Sequence, residues 1–176
     1  QKGVSGVTGI ERSQTACEVA WSRNMNVIQA NIQNDVLPFQ EKYFDFILFG
    51  DILEHLYDPW TVLKKFRSYL KDNGTMLLSI PNVKHYKNLK RLLLHDEWTY
   101  LQAGVLDYTH IRFFTRKEAI KLVENSGMKI VTIRYRTNRN KIFRLLKWFF
   151  GDRIMTLWAE QFLLAAIKPG IDQVPG

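Results

Sequence analysis

The chain has 176 residues, of which 46% are hydrophobic and 24% charged, a composition typical of one globular domain and not of a disordered protein. Its net charge of +8 leaves nucleic acid, an anionic membrane surface or an acidic substrate open as partners. We find no apolar stretch long enough to span a membrane and no signal peptide, and the single cysteine, Cys17, excludes an internal disulfide. These observations predict a cytoplasmic protein.

The first part of the chain predicts a helix between two strands. β-Branched residues alternate with small ones over 4–10 and predict a strand that ends in Glu11. Ser13 is a favourable N-cap for a helix that runs to about Arg23. A short strand is predicted over 26–30.

A near-continuous apolar run over 43–50 predicts a strand buried on both faces of a parallel sheet. The Asp-Pro pair at 58–59 begins a helix, because the acid caps it and proline suits its first position. We expect the Asn-Gly pair at 73–74 to end this helix. A second buried strand then follows over 75–80.

The remaining elements continue the alternation of helix and strand. A helix is predicted over 84–95, and a capping box at 115–118 begins another that Gly127 ends. Strands are predicted over 128–135 and 160–169. This order predicts an α/β fold with a doubly wound, mostly parallel sheet flanked by helices.

We expect residues 1–176 to form a single domain. Residues 96–114 are a long irregular stretch, and connections of this length in compact domains are often functional lids or inserts. Residues 136–158 are rich in basic and aromatic side chains.

The excess positive charge is concentrated in 84–91 and 134–147. Such runs are often a solvated face. As an interfacial helix, 140–158 could contact a membrane surface, with aromatic rings among the lipids and basic groups at the phosphates. The same segment could form a subunit interface or pack over the sheet.

Polar side chains follow the predicted strands, and in a doubly wound sheet ligands bind beyond the carboxyl ends of strands. Each of these residues also has a purely structural interpretation as turn or cap chemistry. The candidates are Glu11, Asn31, Ile32, Gly50, Asp51, Leu53, Glu54, His55, Asn82 and His85.

Four stretches of the sequence resemble the class I S-adenosylmethionine-dependent methyltransferases, in the broad group often encoded with polysaccharide-modifying enzymes. These are VTGIE, NIQNDVLPFQEKYFDFILFGDILEHLYDPWTVL, GTMLLSIPNV and THIRFFTRKEAIKLVENSGM, and together they cover roughly residues 4–133 in the family's order. The resemblance implies a Rossmann-like fold, S-adenosylmethionine as cofactor, and a small-molecule or glycan acceptor.

The resemblance also implies cofactor-binding residues. Glu11 matches the acid that binds the ribose hydroxyls, and Asn31-Ile32 matches the adenine-binding pair, with Asn in place of the usual acid. The D-x-L-E-H string over 51–55 matches a loop that lines the cofactor pocket, with Gly50, Asp51 and Leu53 facing the cofactor.

For the acceptor side, two interpretations of the same loop stay open. His55 could be the general base, or Glu54 and His55 could only order the loop. The resemblance places the 96–114 insert over the acceptor, which makes His110 a second catalytic candidate. The predicted substrate residues are Glu54, Asn82, His85, Tyr86, Tyr108 and Arg112. We identify no convincing metal-ligand spacing and no G-x-S-x-G hydrolase elbow.

One departure from the family is serious. Its first strand and G-x-G-x-G loop should precede the ribose-binding acid by about twenty residues, but only ten residues precede Glu11. We therefore expect an N-terminally truncated domain whose sheet is re-paired or completed by a partner chain, such as a second copy. A non-catalytic α/β binding or scaffold module is the alternative. An RNA methyltransferase ranks below both, because IPNV replaces a stacking motif such as N-P-P-Y.

Overall fold

The computed structural model describes residues 6–137, 148 and 154–170. They fall into two compact units, residues 1–39 and residues 40–176, and each is described by itself. Most of the basic and aromatic segment, namely 138–147 and 149–153, lies outside the described residues, so the expectations for 140–158 stay predictions.

The first unit contains a parallel pair of strands with a helix between them. Strand β1 (Gly9–Glu11) pairs with β2 (Val27–Gln29), and helix α1 (Gln14–Ser22) connects them. The Ser13 side chain accepts a hydrogen bond from the Ala16 amide and caps α1 as predicted. β1 begins later than predicted, since its pairing with β2 starts only at Gly9.

The second unit is an α/β layer structure around a four-stranded sheet. Its elements are β3 (Phe44–Gly50), a 3₁₀ turn (Leu53–His55), α2 (Pro59–Tyr69), β4 (Leu70–Pro81), α3 (Tyr86–His95), α4 (Arg116–Glu124), β5 (Lys129–Thr137), α5 (Met155–Trp158) and β6 (Ala159–Ile167). The strand order is β3-β4-β6-β5. β3 and β4 are parallel, whereas β6 is antiparallel to both β4 and β5. Three strands therefore share one direction, which confirms the predicted α/β class with a mixed sheet.

The core lies on one face of this sheet. Alternate side chains of β4 and β6 are buried, and helices α2 and α4 add their apolar stripes. The rings of Phe49 on β3 and Phe66 on α2 meet edge to face at 5.1 Å, which places α2 against this face. Buried residues of the face are Phe49, Met76, Leu78, Ile80, Phe162, Leu164 and Ala166.

The opposite face is partly uncovered, which corrects the expectation that β3 is buried on both sides. Phe46 is 65% exposed and Leu48 is 72% exposed. Leu48 pairs with Leu77, which is 38% exposed. A run of apolar residues predicts a strand, but it does not reveal whether a second layer of structure covers the other face of that strand. We call Phe46, Leu48 and Leu77 the open sheet face.

The Asn-Gly pair at 73–74 does not end α2. The helix ends at Tyr69, and β4 begins at the fully buried Leu70, which pairs with Phe44 of β3. Asn73 has a φ of 62° inside β4, and the Gly74 carbonyl accepts from the Lys168 amide. The Asn-Gly pair therefore forms a bend within β4 and does not end α2. The chain has already left the helix at Leu70, where pairing with β3 begins.

The predicted insert, residues 96–114, contains no helix and has two isolated β-bridges. Asn82 bridges to Phe114, and Leu101 bridges to Asp107 within the insert. Across the described residues, no helix has the length and apolar character to cross a membrane.

Candidate functional site

The loop that follows β3 is held at the carboxyl ends of the strands by Asp51. Asp51 has a φ of 52°, a left-handed conformation that Asp tolerates better than most residues. Its Oδ1 accepts hydrogen bonds from Ser79 Oγ and Gln161 Nε2, both at 2.8 Å. Because Ser79 lies on β4 and Gln161 on β6, one carboxylate connects three strand ends.

Glu54 is a buried carboxylate without a hydrogen-bond partner. Its side chain is 1% exposed, and neither Oε1 nor Oε2 makes a hydrogen bond. Burial is the main reason that the pKa of Glu54 rises to about 7, and the charges of Asp51 and Asp107 raise it further. A buried carboxylate without a hydrogen bond is costly, so this position indicates a functional group more than a structural one.

Two histidines approach Glu54 from different parts of the chain. His110 Nε2 lies 3.8 Å from Glu54 Oε1, and the rings of His55 and His110 are 4.7 Å apart. His110 Nδ1 is 3.0 Å from the Val105 carbonyl, and His55 Nδ1 is 3.2 Å from the Thr109 carbonyl. If each Nδ1 carries the proton that a carbonyl accepts, each Nε2 has a free lone pair.

The backbone of the insert is fixed directly on this turn. The Glu54 carbonyl accepts from the Ile111 amide at 2.9 Å and from the Arg112 amide at 3.0 Å. The Asp107 carboxylate accepts from the Thr109 amide and hydroxyl, and these bonds lower the pKa of Asp107. The insert therefore carries His110 into position through backbone contacts.

A cavity of about 920 Å³ opens at this edge of the sheet. It is lined by residues that follow β3 and β4, residues that begin β6, and residues of α3 and the insert. Of the predicted site residues, the structure brings together around it Asp51, Glu54, His55, His85 and His110. His85 is buried, and desolvation lowers its pKa.

Other predicted residues of this unit have structural contacts. Asn82 is fully buried and donates to the Thr156 and Ala159 carbonyls. Tyr86 stacks on Trp158 with ring centroids 4.2 Å apart, and Arg112 donates to the Tyr57 carbonyl. None of these three residues lines the cavity, and their substrate roles stay predictions.

Leu53 and Gly50 lie close to the site but do not line the cavity. Leu53 is fully buried beside Glu54 in the 3₁₀ turn. A Cβ added at Gly50 would meet no atom within 4 Å, so there is open space next to its backbone. Tyr108 is 63% exposed.

The predicted adenosine-binding residues all belong to the first unit. Glu11 is exposed at the end of β1, and its Oε1 accepts from the Ser13 amide. The Asn31 side chain accepts from the Gln33 amide, and Ile32 is half-buried after β2. These side chains follow the strands of a parallel βαβ unit, which is where a nucleoside-binding acid and its neighbours are expected.

Sequence reasoning missed two contributions to the cavity. Glu160 and Gln161 line it, because β6 begins at the edge where β4 ends. The proximity of Glu54, His55 and His110 was also missed, since 55 residues separate the two histidines along the chain. The only available signal was that His110 lies in the long insert.

The first unit is a βαβ unit with an acid at the end of its first strand. The second unit has an acid-rich loop beside a cavity at the strand ends. Both features are typical of Rossmann-like proteins that bind a nucleotide cofactor. Residues 1–133 match the family described as "Methyltransferase domain". The chain belongs to this methyltransferase family.

Curated relatives include the "Ubiquinone biosynthesis O-methyltransferase" of Dinoroseobacter shibae, 28% identical over 130 residues, which are 72% of this chain and 48% of that protein. The protein of the same name from Coxiella burnetii is 24% identical over 133 residues, covering 72% and 56%. The chain thus spans about half the length of the curated relatives it matches.

Solved structures show the same fold. A SAM-dependent methyltransferase from Archaeoglobus fulgidus has a TM-score of 0.66 at 15% identity, with 92% of this chain and 75% of that chain covered. A SAM-dependent methyltransferase from Methanosarcina mazei has a TM-score of 0.62 at 19% identity, covering 93% and 82%. S-adenosylmethionine is the cofactor of this fold family. Within the second unit, the open space beside the Gly50 backbone leaves room for such a ligand.

Proposed function

We propose that the chain is the methyltransferase domain of an enzyme that transfers a methyl group from S-adenosylmethionine to a hydroxyl oxygen of a small-molecule or glycan acceptor. The observation that carries this proposal is the cavity beyond the ends of β3 and β4, where Glu54, His55 and His110 come together. Its volume of about 920 Å³ lies within the range of small-molecule sites.

The cofactor would be held by residues at the strand ends. In the first unit, Glu11 would accept hydrogen bonds from the ribose hydroxyls, and Asn31 with Ile32 would contact the adenine. In the second unit, Gly50, Asp51 and Leu53 would contact the cofactor. When bound, S-adenosylmethionine supplies an electrophilic methyl group on a positively charged sulfur.

The remaining task of the protein is to position the acceptor and take up its proton. The cofactor would supply the methyl group to the hydroxyl oxygen and would leave as a neutral thioether. The hydroxyl proton passes to an imidazole Nε2 of His55 or His110. The backbone carbonyls at Nδ1 of both rings support this role, because a neutral ring that donates from Nδ1 to a carbonyl has its Nε2 lone pair available for a proton.

Oxygen as the methylated atom is supported by the printed name of the curated relatives, which are O-methyltransferases. The cavity also contains several basic side chains, including Lys87, Arg91 and Arg136. Such side chains suit a polar or acidic acceptor more than a purely apolar one.

The first experiment measures cofactor binding by calorimetry with S-adenosylhomocysteine. We expect Asp51→Ala to weaken binding about 10-fold, since it removes the two charge-assisted hydrogen bonds from Ser79 and Gln161 that hold this loop. Asp45→Ala is the matched control, because Asp45 is an exposed acid of β3 that forms a surface ion pair with Lys71 and lies outside the cavity lining. If the chain does not bind, the proposal fails and a non-catalytic module replaces it.

The second experiment uses tritium-labelled S-adenosylmethionine with catechol and with a neutral oligosaccharide as acceptors. An alkali-stable labelled ether on either acceptor supports transfer to oxygen and identifies the acceptor class. Label on neither acceptor, despite cofactor binding, contradicts the acceptor assignment. Label on added RNA instead would favour the RNA methyltransferase alternative.

A further inference from the structure

Helix α3, which contains most of the basic run at 84–91, forms one wall of the cavity in the second unit. Lys87, Lys90, Arg91 and His95 line the cavity from this helix. Their spacing places them on one helix face, because residues three or four positions apart are neighbours on a helix. The helix contains no acidic residue. We call Lys87, Lys90 and Arg91 the basic wall.

The charge of the basic wall is largely uncompensated. Lys87 and Lys90 are exposed, and neither forms an ion pair with another residue that the structure describes. Arg91 has an acidic neighbour in Glu97, but Arg91 Nε and Glu97 Oε2 are 3.9 Å apart, too far for a hydrogen bond. Uncompensated cations that line a cavity concentrate their field there and attract anions.

Arg136 brings a further cation to the cavity from another element. It lies on β5 and lines the cavity. Its Nη1 donates to Gln161 Oε1 at 2.9 Å, and Gln161 Nε2 donates to Asp51 Oδ1. The Gln161 amide therefore holds the Arg136 guanidinium at the strand ends. A planar guanidinium matches the oxygens of a phosphate well.

Most of the negative charge of the cavity lies on other elements than α3. Asp51 and Glu54 belong to the loop after β3, and Asp107 belongs to the insert. Two further acids line the cavity, Glu97 after α3 and Glu160 on β6. An acceptor whose hydroxyl meets the histidines beside Glu54 would therefore direct an anionic group towards the basic wall.

We propose that the basic wall and Arg136 bind a phosphate or diphosphate group of the acceptor, so that the methylated hydroxyl belongs to a phosphorylated compound. Phosphate fits better than a carboxylate, because its greater charge and additional oxygens let several cations contact it at once. The cavity of about 920 Å³ has room for this group and for the part of the acceptor that reacts. The role as an acceptor site rests on the proposed function, whereas phosphate binding itself requires no methyl transfer.

The test is a titration of the 176-residue chain with sodium pyrophosphate at constant ionic strength, followed by backbone amide NMR. We expect saturable shifts at the amides of α3, of His85 and of Arg136. Combining Lys87→Gln with Lys90→Gln should weaken binding about 10-fold, because two charge-assisted contacts are lost. Both side chains are exposed, so the variant should keep the wild-type spectrum elsewhere.

The matched control combines Lys117→Gln with Lys121→Gln. It removes the same charge from exposed positions of α4 that lie outside the cavity lining. This control should bind pyrophosphate as the wild type does.

Three results would overturn the phosphate site: no saturable binding by the wild type, equal binding by the Lys87 and Lys90 double variant, or tighter binding of a single-stranded RNA than of pyrophosphate. Displacement of S-adenosylhomocysteine by pyrophosphate would overturn its assignment to the acceptor. The pyrophosphate titration needs no cofactor, so this proposal and the proposed function fail separately.

A second measurement identifies the source of the phosphate, which could be a soluble compound or a lipid. Cosedimentation with phosphatidylglycerol vesicles that the Lys87 and Lys90 double variant loses would support a lipid phosphate. Pyrophosphate binding without cosedimentation would support a soluble phosphorylated acceptor.

Discussion

Two buried titratable side chains of the second unit, Glu54 and His85, have shifted pKa values. His85 is 5% exposed and lines the same cavity as Glu54. Desolvation is the main cause of its lowered pKa, the charge of Lys87 lowers it further, and Glu160 acts in the opposite direction. A histidine held neutral by burial makes the folded state sensitive to acid.

We predict that His85 lowers the stability of the protein as the pH falls. Its folded pKa is below the unfolded value of about 6.5, so between the two values the unfolded chain binds more protons. Stability is therefore full above about pH 6.5 and decreases below it. Urea denaturation at about pH 7.5 and about pH 5.5 should show a smaller decrease in the free energy of unfolding for His85→Asn than for the wild type.

The control for this measurement is His95→Asn, which changes an exposed histidine of the same helix region. It should keep the wild-type pH dependence. An unchanged dependence in His85→Asn would show that another group is responsible for the loss at acid pH.

The starts of the helices were predictable, because they depend on residues that are close together in the sequence. Ser13, Asp58 and Thr115 each cap a helix as expected, because a cap is a contact between residues three apart. The reversed direction of β6, inserted between β4 and β5, could not be derived, since it depends on long-range pairing. The grouping of His55 with His110 is equally non-local.

The cap of α4 gives a prediction at the scale of the element. Thr115 Oγ1 accepts from the Glu118 amide, and the two side chains hydrogen-bond to each other. Thr115→Ala should lower the free energy of unfolding by about 1 kcal/mol, measured by urea denaturation. Lys117→Ala, an exposed change in the same turn, should stay within about 0.5 kcal/mol of the wild type. Equal effects of the two substitutions would contradict the capping role.

At the scale of the whole molecule, the open sheet face is a large apolar surface within the described residues. Phe46 and Leu48 lie on β3, which is an edge strand of the four-stranded sheet. Exposed apolar surface next to a strand edge favours association with another chain. This is consistent with the sequence-based expectation that a second copy completes the sheet, which stays a prediction.

We predict that replacing both Phe46 and Leu48 with Thr reduces self-association. Thr suits a strand, and both side chains are more than half exposed, so stability should change by no more than about 1 kcal/mol. Light scattering after size exclusion should show a mass that rises with concentration for the wild type and less for the variant. Val36→Thr, at a 94% exposed position outside both sheets, should behave as the wild type. A wild type that remains monomeric at every concentration would contradict this prediction.

The Glu54 carbonyl, which accepts from both the Ile111 and Arg112 amides, has a consequence for how ligands enter and leave. The carboxyl-terminal end of the insert cannot swing away without breaking two hydrogen bonds to the residue that also carries the buried carboxylate. Opening of the insert and rearrangement of the Glu54 turn should therefore be one cooperative event. In amide hydrogen exchange, Ile111 and Arg112 would then exchange together and slow together when a ligand occupies the cavity.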